Sequence, residues 1–517
     1  MTSPTRRDVL RVAGLGVAGT AAATAAGTAL ETTVAQATVT TGPGTNFVPS
    51  DLDLHLLRRT TYGPTPSLLK SVQRLGRRAW LDQQLSPGTI DDTYCDRLMT
   101  GRFPGLSWSI AQARSNLEPF SWDLMYDLGA ATMARAVWSR RQLLEVMCDF
   151  WSNHLNVTNP SDNVWDNRAD YDRRVIRRHA LGRFEDMLIA SAKHPAMLYY
   201  LNNVDNTRYA VNENYGRELL ELHTVSVDAG YSEGDMLNSA RIMTGFGVNW
   251  ETGQYVFTAD DHYRGRVSVM GFSSANTTGS GGEAVGVEYL KYLAHHPQTA
   301  RHLARKLVQR FVSDVPSSSL VDTLAATYLR SGTDIRPVLR QLLLSKAFNS
   351  AVGRKVRRPM EDVVATMRVL GYKPDVSGSD GMRGLYWMVD EMGHAPMAWH
   401  PPDGYPDEAS SWQSAGTTLA RWNSHLSLAG HWWPKELVRP DLLSYVPKPL
   451  PPTHGHLVDA LAQRLVFRKL SAAHKAAVLT FLEKNSATPL TSTDAAVGWR
   501  LPYVIALILD SPYHAVR

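Results

Sequence analysis

Cysteine is nearly absent: Cys95 and Cys148 are the only two in 517 residues. A disulfide framework therefore cannot define the fold, and a chain this long buries a full core without one. A bridge between the two would need an oxidising compartment and is not structurally necessary. Charge of one sign is lacking too, since beyond residue 37 there are 51 Lys and Arg against 47 Asp and Glu. Nucleic-acid binding needs a concentrated basic face. The basic clusters here, R-R-V-I-R-R-H at 173–179 and R-K-V-R-R at 354–358, are short and read as solvated helix faces, so nucleic acid is not expected as a partner. No G-x-S-x-G elbow and no H-E-x-x-H zinc spacing occurs, and neither cysteine has an activating neighbour in sequence. No internal repeat of fixed period is present.

What is there begins with an address. M-T-S-P-T-R-R-D-V-L-R-V-A-G carries paired Arg6 and Arg7, leads into a weakly apolar Ala/Gly/Thr run over 12–30, and reaches Ala35-Gln36-Ala37. This is the layout of a twin-arginine export signal with a small-x-small cleavage site after Ala37. The run is poor in Leu and transfers weakly into lipid, so no stable membrane anchor is expected after cleavage. Residues 1–37 are thus expected to be removed and 38–50 to form a flexible mature N-terminus. The destination is the cell exterior, cell wall or periplasm. Twin-arginine export carries folded proteins, which strengthens the case for a bound cofactor.

From residue 51 the dominant period is helical. In P-T-P-S-L-L-K-S-V-Q-R-L-G-R-R-A-W-L-D-Q-Q-L-S-P-G, Thr65 is placed to cap, Pro66 takes the first helical position and Pro87-Gly88 is the stop. The same grammar recurs through the chain, so the expected fold is mainly α: a large helical domain, 51–434, with a small β-hairpin insertion. That insertion is signalled by V-N-W-E-T-G-Q-Y-V-F and R-V-S-V-M-G in 246–272. The Ser/Gly/Thr run at 273–282 reads as a mobile loop. Residues 435–455 read as a proline-rich strap, and 456–517 as a C-terminal helical cap of the same domain.

One stretch raises the question of function. V-N-E-N-Y-G-R-E-L-L-E-L-H-T, 211–224, places Arg217 about 40° from Glu213 around a helix, Glu221 about 80°, Asn214 about 100° and Glu218 about 140°. His223 falls on the other, apolar side. With Asn212 as cap and Glu213-Arg217-Glu221 as an i,i+4 ladder, the pattern also fits an ordinary wet face. Just upstream, L-N-N-V-D-N-T-R adds Asn202, Asn203, Asp205 and Asn206, a loop of tight turns or a binding surface. Seven of the 14 tryptophans lie at or beyond Trp387; stacking on sugar rings would explain them, but core packing of large aromatics is the expected reading.

The motifs F-W-S-N-H (150–154), H-P-A-M-L-Y-Y-L-N-N (194–203), N-E-N-Y-G-R-E-L-L-E-L-H-T (212–224), D-A-G-Y-S-E-G-D (228–235), A-R-I-M-T-G-F (240–246), H-P-Q-T-A-R (296–301) and P-P-D-G-Y-P (401–406) come in order. From residue 51 to the C-terminus the chain resembles a large bacterial family of exported proteins catalogued as domain of unknown function eighteen hundred. The resemblance implies fold and export, and it makes the E-N-Y-G-R-E-L-L-E-L-H helix a family centre. It also implies an exported alkaline-phosphatase-like companion protein. One departure stands at Asp261-His262-Tyr263, where the family is expected to have the acid after the His.

These readings give a candidate site. Glu218 and Glu221 are expected as acid/base groups or metal ligands, with His154 as a general base or packing residue. Arg217 and Asn214 are expected to orient a polar substrate, and Asn153, Asn202, Asn206 and Tyr405 to contact it. If a divalent metal is the cofactor, its candidate ligands are Glu218, Glu221 and His223. Oxygen ligands favour Ca²⁺, Mg²⁺ or Mn²⁺, and an added imidazole favours Zn²⁺ or Fe. The expected activity is that of a hydrolase or lyase on a polysaccharide or cell-wall polymer, the alternative being a non-catalytic surface or matrix binding protein. A partly buried site further predicts that removing the Arg217 charge is severely destabilising near neutral pH.

Overall fold

Thr65 Oγ1 accepts from the Leu68 amide at 3.2 Å and Pro66 opens the helix Pro66–Leu75, as the capping grammar predicts. The helix is shorter than its apolar period, because Gly76 adopts φ 79° and breaks it. A second helix, Arg77–Gln84, follows before the 3₁₀ turn Pro87–Thr89. The computed structural model describes residues 49–517. The stretch read as an export signal, 1–37, and nearly all of the 38–50 segment therefore lie outside the described residues. Among the described residues there are 24 α-helices and two two-stranded antiparallel sheets, so the protein is mainly α with a small β insertion. No helix among them is long and apolar enough to cross a membrane.

The β insertion is two hairpins rather than one. Strand β1 (Phe246–Val248) pairs with β2 (Tyr255–Phe257), Phe246 opposite Phe257. Strand β3 (Val267–Val269) pairs with β4 (Phe272–Ser274), Val269 opposite Phe272. Met270 and Gly271 form the second turn, both at positive φ, the pairing a tight two-residue hairpin requires. The run at 273–282 thus begins as strand and becomes helix at Gly282. The second hairpin is pinned to the helix Glu233–Ile242, whose Asn238 Nδ2 donates to Ser268 O at 3.0 Å and whose Asp235 accepts from the Met270 amide at 2.9 Å.

Gly216 fixes the site helix on that same support. A Cβ there would lie 2.5 Å from the Ala240 amide nitrogen, so only glycine permits the helix Asn214–Glu218 to approach so closely. Beyond the strap, His454–Leu465 and Leu501–Leu509 pack back against the body, the latter along Ala415–Gly430. The described residues, 49–517, lie within one compact unit.

Two expectations are corrected, and the pairing of the cysteines, which the sequence left open, is answered. The R-K-V-R-R cluster is not a solvated helix face: it is extended, Lys355 and Arg358 are buried in ion pairs, and buried Arg357 donates to His514 O. Positive charge with nearby carboxylates can be buried where a lone charge cannot. The late tryptophans are not mainly core, since Trp387, Trp422, Trp432, Trp433 and Trp499 are exposed and only Trp412 is buried. The two cysteines are buried free thiols.

Candidate functional site

The site helix is α-helical only from Asn214 to Glu218. It continues as a π-helix over Leu219–His223, a widened turn frequent at functional sites, and a second one runs over Asp172–Arg177. Asn212 Oδ1 accepts from the Asn214 amide at 3.0 Å, so the expected cap is present. The ladder is also as read: Arg217 lies 3.4 Å from Glu213 and 3.7 Å from Glu221, with Glu233 at 4.0 Å. Its side chain is 38% exposed, so these are solvent-screened pairs rather than the buried counter-charge the site reading predicted.

Glu218 is different. It is half-buried, and burial pushes its carboxyl upward, followed by repulsion from Glu221 and Asp403, while Arg217 only partly offsets this. Asp403 comes from the P-P-D-G-Y-P loop, far away in sequence. That loop is clamped onto the helix Gln142–His154: Asn153 Oδ1 accepts from the Tyr405 amide at 3.0 Å. Gly404, at φ 75°, passes so close that a Cβ would sit 2.1 Å from Asn153 O. The Trp399 indole donates to Asp403 Oδ1 at 2.8 Å, and the Tyr200 hydroxyl donates to His400 O.

Behind the π segment lies a buried basic cluster. His154 is 1% exposed; its Nε2 lies 3.1 Å from His223 O and its Nδ1 3.2 Å from Lys306 Nζ. With an ammonium on one side and a carbonyl on the other, Nδ1 accepts and Nε2–H donates, which is the neutral tautomer. Burial, then the Lys306 charge and the neighbouring His302 and His223, holds His154 well below its ordinary range. His302 Nε2 reaches Leu222 O at 3.2 Å, and burial with Lys306 lowers it to about 3. His223, also 1% exposed, has no partner on either ring nitrogen and is lowered to about 3 by the same causes. Lys306, on the helix Pro297–Phe311, is itself drawn down to about 8 by burial, with Asp403 and Asp407 pulling the other way.

A floor of ion pairs holds the loop and this helix together. Arg310, one turn beyond Lys306, joins Glu361 and lies 3.6 Å from both Asp149 and Asp407. Arg358 pairs with Asp149 and Glu361, Lys355 with Asp314 and Asp407, and Arg517 with Glu361 at 3.2 Å. Such a network fixes the positions of the groups above it.

The predicted residues therefore divide. Glu218, Glu221, Arg217 and His154 are brought into one region, and His302, Lys306 and Asp403 are additions that sequence reasoning missed. Asp403 stood inside a quoted motif, and His302 and Lys306 follow H-P-Q-T-A-R directly, so proximity to motifs was the available signal. The substrate-binding candidates are mostly joints. Asn206 accepts from the Asn212 amide and donates to Ala240 O, Asn214 Nδ2 donates to Leu201 O, and the Tyr405 hydroxyl donates to Ala395 O. Asn153 also donates to Asp149 O, and only Asn202 is exposed, in the left-handed region at φ 57°. His262 is buried between Thr244 O and Asn276 Oδ1 and serves the hairpin.

Glu218, Glu221 and His223 do not converge as a ligand set, because His223 occupies the buried side of the helix. Among the described residues the group with metal-ligand spacing is Asp362, His425 and His514, whose ligand atoms lie within 4.8 Å of one another. There His425 Nε2 meets Asp362 Oδ2 at 3.0 Å and its Nδ1 meets Asp510 Oδ1 at 2.9 Å. Arg357 donates to His514 O and Arg421 donates to Arg357 O. His425 is thus already held between two carboxylates in an Asp362–His425–Asp510 chain, with two guanidiniums nearby, so these groups are paired with one another without an ion.

No curated protein and no solved structure gives a significant match to this chain. The family model for proteins of unknown function DUF1800 matches residues 55–516, nearly the whole chain, and the protein belongs to that family.

Proposed function

We propose that this DUF1800 protein is exported by the twin-arginine route and acts outside the cytoplasm as a hydrolase or lyase on a polysaccharide or cell-wall polymer, with Glu218 as the proton-transferring group. The reading is carried by Glu218: a half-buried carboxyl pushed upward beside Asp403, at the start of a π-helical segment. A carboxyl with a raised proton affinity holds its proton to higher pH than an ordinary surface glutamate and is the better placed to protonate a leaving oxygen. Lys306, backed by neutral His154, supplies positive charge to Asp403, the acidic neighbour of Glu218, part of the role a divalent cation would otherwise play. Pairs of groups whose environments move them toward neutral pH mark acid/base sites more often than bare surface clusters do.

Glu218→Gln tests this directly. The variant is expected to lose on the order of 10²–10⁴-fold in release of soluble product from chitin, cellulose or peptidoglycan, while its unfolding free energy stays within about 0.5 kcal/mol of the parent. Full turnover by the variant would remove Glu218 from the chemistry. Export is tested separately: replacing Arg6 and Arg7 with Lys is expected to leave precursor in the cytoplasm. Normal secretion of that double variant would exclude the twin-arginine route.

A further inference from the structure

A cavity of about 390 Å³ opens beside the helix Pro195–Tyr200, lined among others by Phe120, Trp165, Tyr199, Trp250 and Asp166. Tyr199 lines it, and the next residue, Tyr200, feels the charges of Asp403 and Glu218. The cavity therefore adjoins the candidate site through two consecutive tyrosines.

Its construction is unlike that of a surface dimple. Trp250 stands 73% exposed at the tip between β1 and β2, and Phe120 is 54% exposed. The tip is held by Arg114, whose Nη1 donates to Trp250 O at 2.7 Å and Glu251 O at 3.0 Å, and whose Nε pairs with Asp166. Asp166 is buried at the floor. Phe120 sits at φ 65°, a backbone region that a bulky residue enters only where surroundings impose it and that clusters at ligand clamps. Its ring lies 6.1 Å from that of Trp165. The aromatic surface continues beyond the cavity through Trp122, which donates to Asp162 at 2.8 Å, to Tyr126 and Trp387, with ring spacings of 6.1 and 5.1 Å.

Exposed aromatic faces around a polar floor match one ligand chemistry well. A pyranose with equatorial substituents presents C–H bonds on its faces, which suit the negative face of an aromatic ring, and hydroxyls on its rim, which suit carboxylate and guanidinium groups. An apolar protein segment would offer no hydrogen bonds to the polar floor around Asp166 and Arg114, and a polyanion would meet Asp166 and Glu251. We infer that the Phe120–Trp165–Tyr199–Trp250 cavity is a subsite for a neutral β-1,4-linked glycan chain that leads to Glu218. The inference rests on the polymer reading above for its connection to catalysis, and stands on its own as a binding site.

The test uses the mature protein carrying Glu218→Gln, titrated with cellohexaose in one arm and chitohexaose in the other and followed by tryptophan fluorescence and calorimetry. Saturable binding is expected in at least one arm, and the arm that binds identifies the sugar. Adding Trp250→Ala is expected to weaken it at least tenfold, whereas adding Trp499→Ala, on a separate exposed patch, is expected to leave it unchanged. Trp250→Ala removes an exposed side chain, and an unaltered melting curve confirms that the comparison is between folded proteins. Absence of binding in both arms, or equal affinity with and without Trp250, overturns the subsite. Failure of the acid/base reading shows differently, as undiminished turnover by Glu218→Gln whatever the titrations give.

Discussion

Lys306 Nζ lies 3.2 Å from His154 Nδ1, so a buried imidazole is kept neutral by an ammonium that is itself poorly solvated. Such an arrangement is held in place by the surrounding fold at a cost in stability. Groups tuned this way are characteristic of sites where function and stability compete.

Replacement of Lys306 by Gln is therefore expected to stabilise the protein at pH 7, by about 1–2 kcal/mol after allowing for solvent screening, while lowering activity. In the folded state Lys306 releases its proton near pH 8, against about 10.4 in the unfolded chain. Between these values the unfolded chain holds more protons, so the parent gains stability as pH rises. The advantage of Lys306→Gln should accordingly shrink between pH 8 and 10, as measured by urea unfolding at several pH values. A destabilised variant whose deficit is independent of pH would contradict this account.

Arg217→Met is expected to be mild. Each exposed i,i+4 pair contributes about 0.2–0.5 kcal/mol, so the loss of the contacts to Glu213 and Glu221 stays below about 1 kcal/mol and fades with added salt. Thermal melts at low and high ionic strength measure it directly. A loss of several kcal/mol would restore the buried-site view of the ladder.

What was legible in the sequence was what depends on near neighbours. Thr65 and Pro66, the Asn212 cap and the Glu213–Arg217–Glu221 ladder are set by spacings of two to four residues, and each is found where it was expected. Gly76 was not weighed as a break, because a lone glycine inside an apolar period ends a helix only when tertiary packing favours the kink. The π segment Leu219–His223 is invisible to an analysis that assumes 100° per residue. Burial of Lys355, Arg357 and Arg358 depends on carboxylates from Asp149, Asp314, Asp407 and Glu361, which no local pattern links. Lys306, His302 and Asp403 escaped notice for the same reason: the contacts that make them interesting reach back to residues in the F-W-S-N-H and E-L-L-E-L-H motifs.

Cys95 and Cys148 are predicted to remain reduced even in an oxidising medium. Both are buried, and burial raises both thiols, Cys95 to about 12. Little thiolate is present to react at pH 8. A chromogenic disulfide reagent should therefore detect no fast thiol in the native protein and two after unfolding in denaturant. Zero thiols under denaturing, non-reducing conditions would mean that a bridge forms.

Asp362 and His425 give the sharpest pH signature. His425 is raised to about 9 by Asp362 and Asp510 against the opposing effect of burial, and Asp362 is held well below the carboxylate range, again against burial, by His425, His514 and Arg421. The depressed Asp362 contributes stability that is present above its unfolded value near pH 3.9 and lost as pH falls toward its folded value. The raised His425 contributes stability that is complete below about pH 6.5 and lost as pH rises through about 9. The pair is thus at full strength from about pH 4 to 6.5 and declines above that. Asp362→Asn should cost about 3–5 kcal/mol at pH 6, because it leaves His425 charged and buried with one carboxylate fewer, and distinctly less at pH 9.5. If the trio held a divalent ion instead, a chelator would lower the melting temperature of the parent and leave Asp362→Asn unaffected, and elemental analysis would find about one metal per chain. The Asp–His–Asp reading expects neither effect, with the pH dependence of the parent unchanged by the chelator.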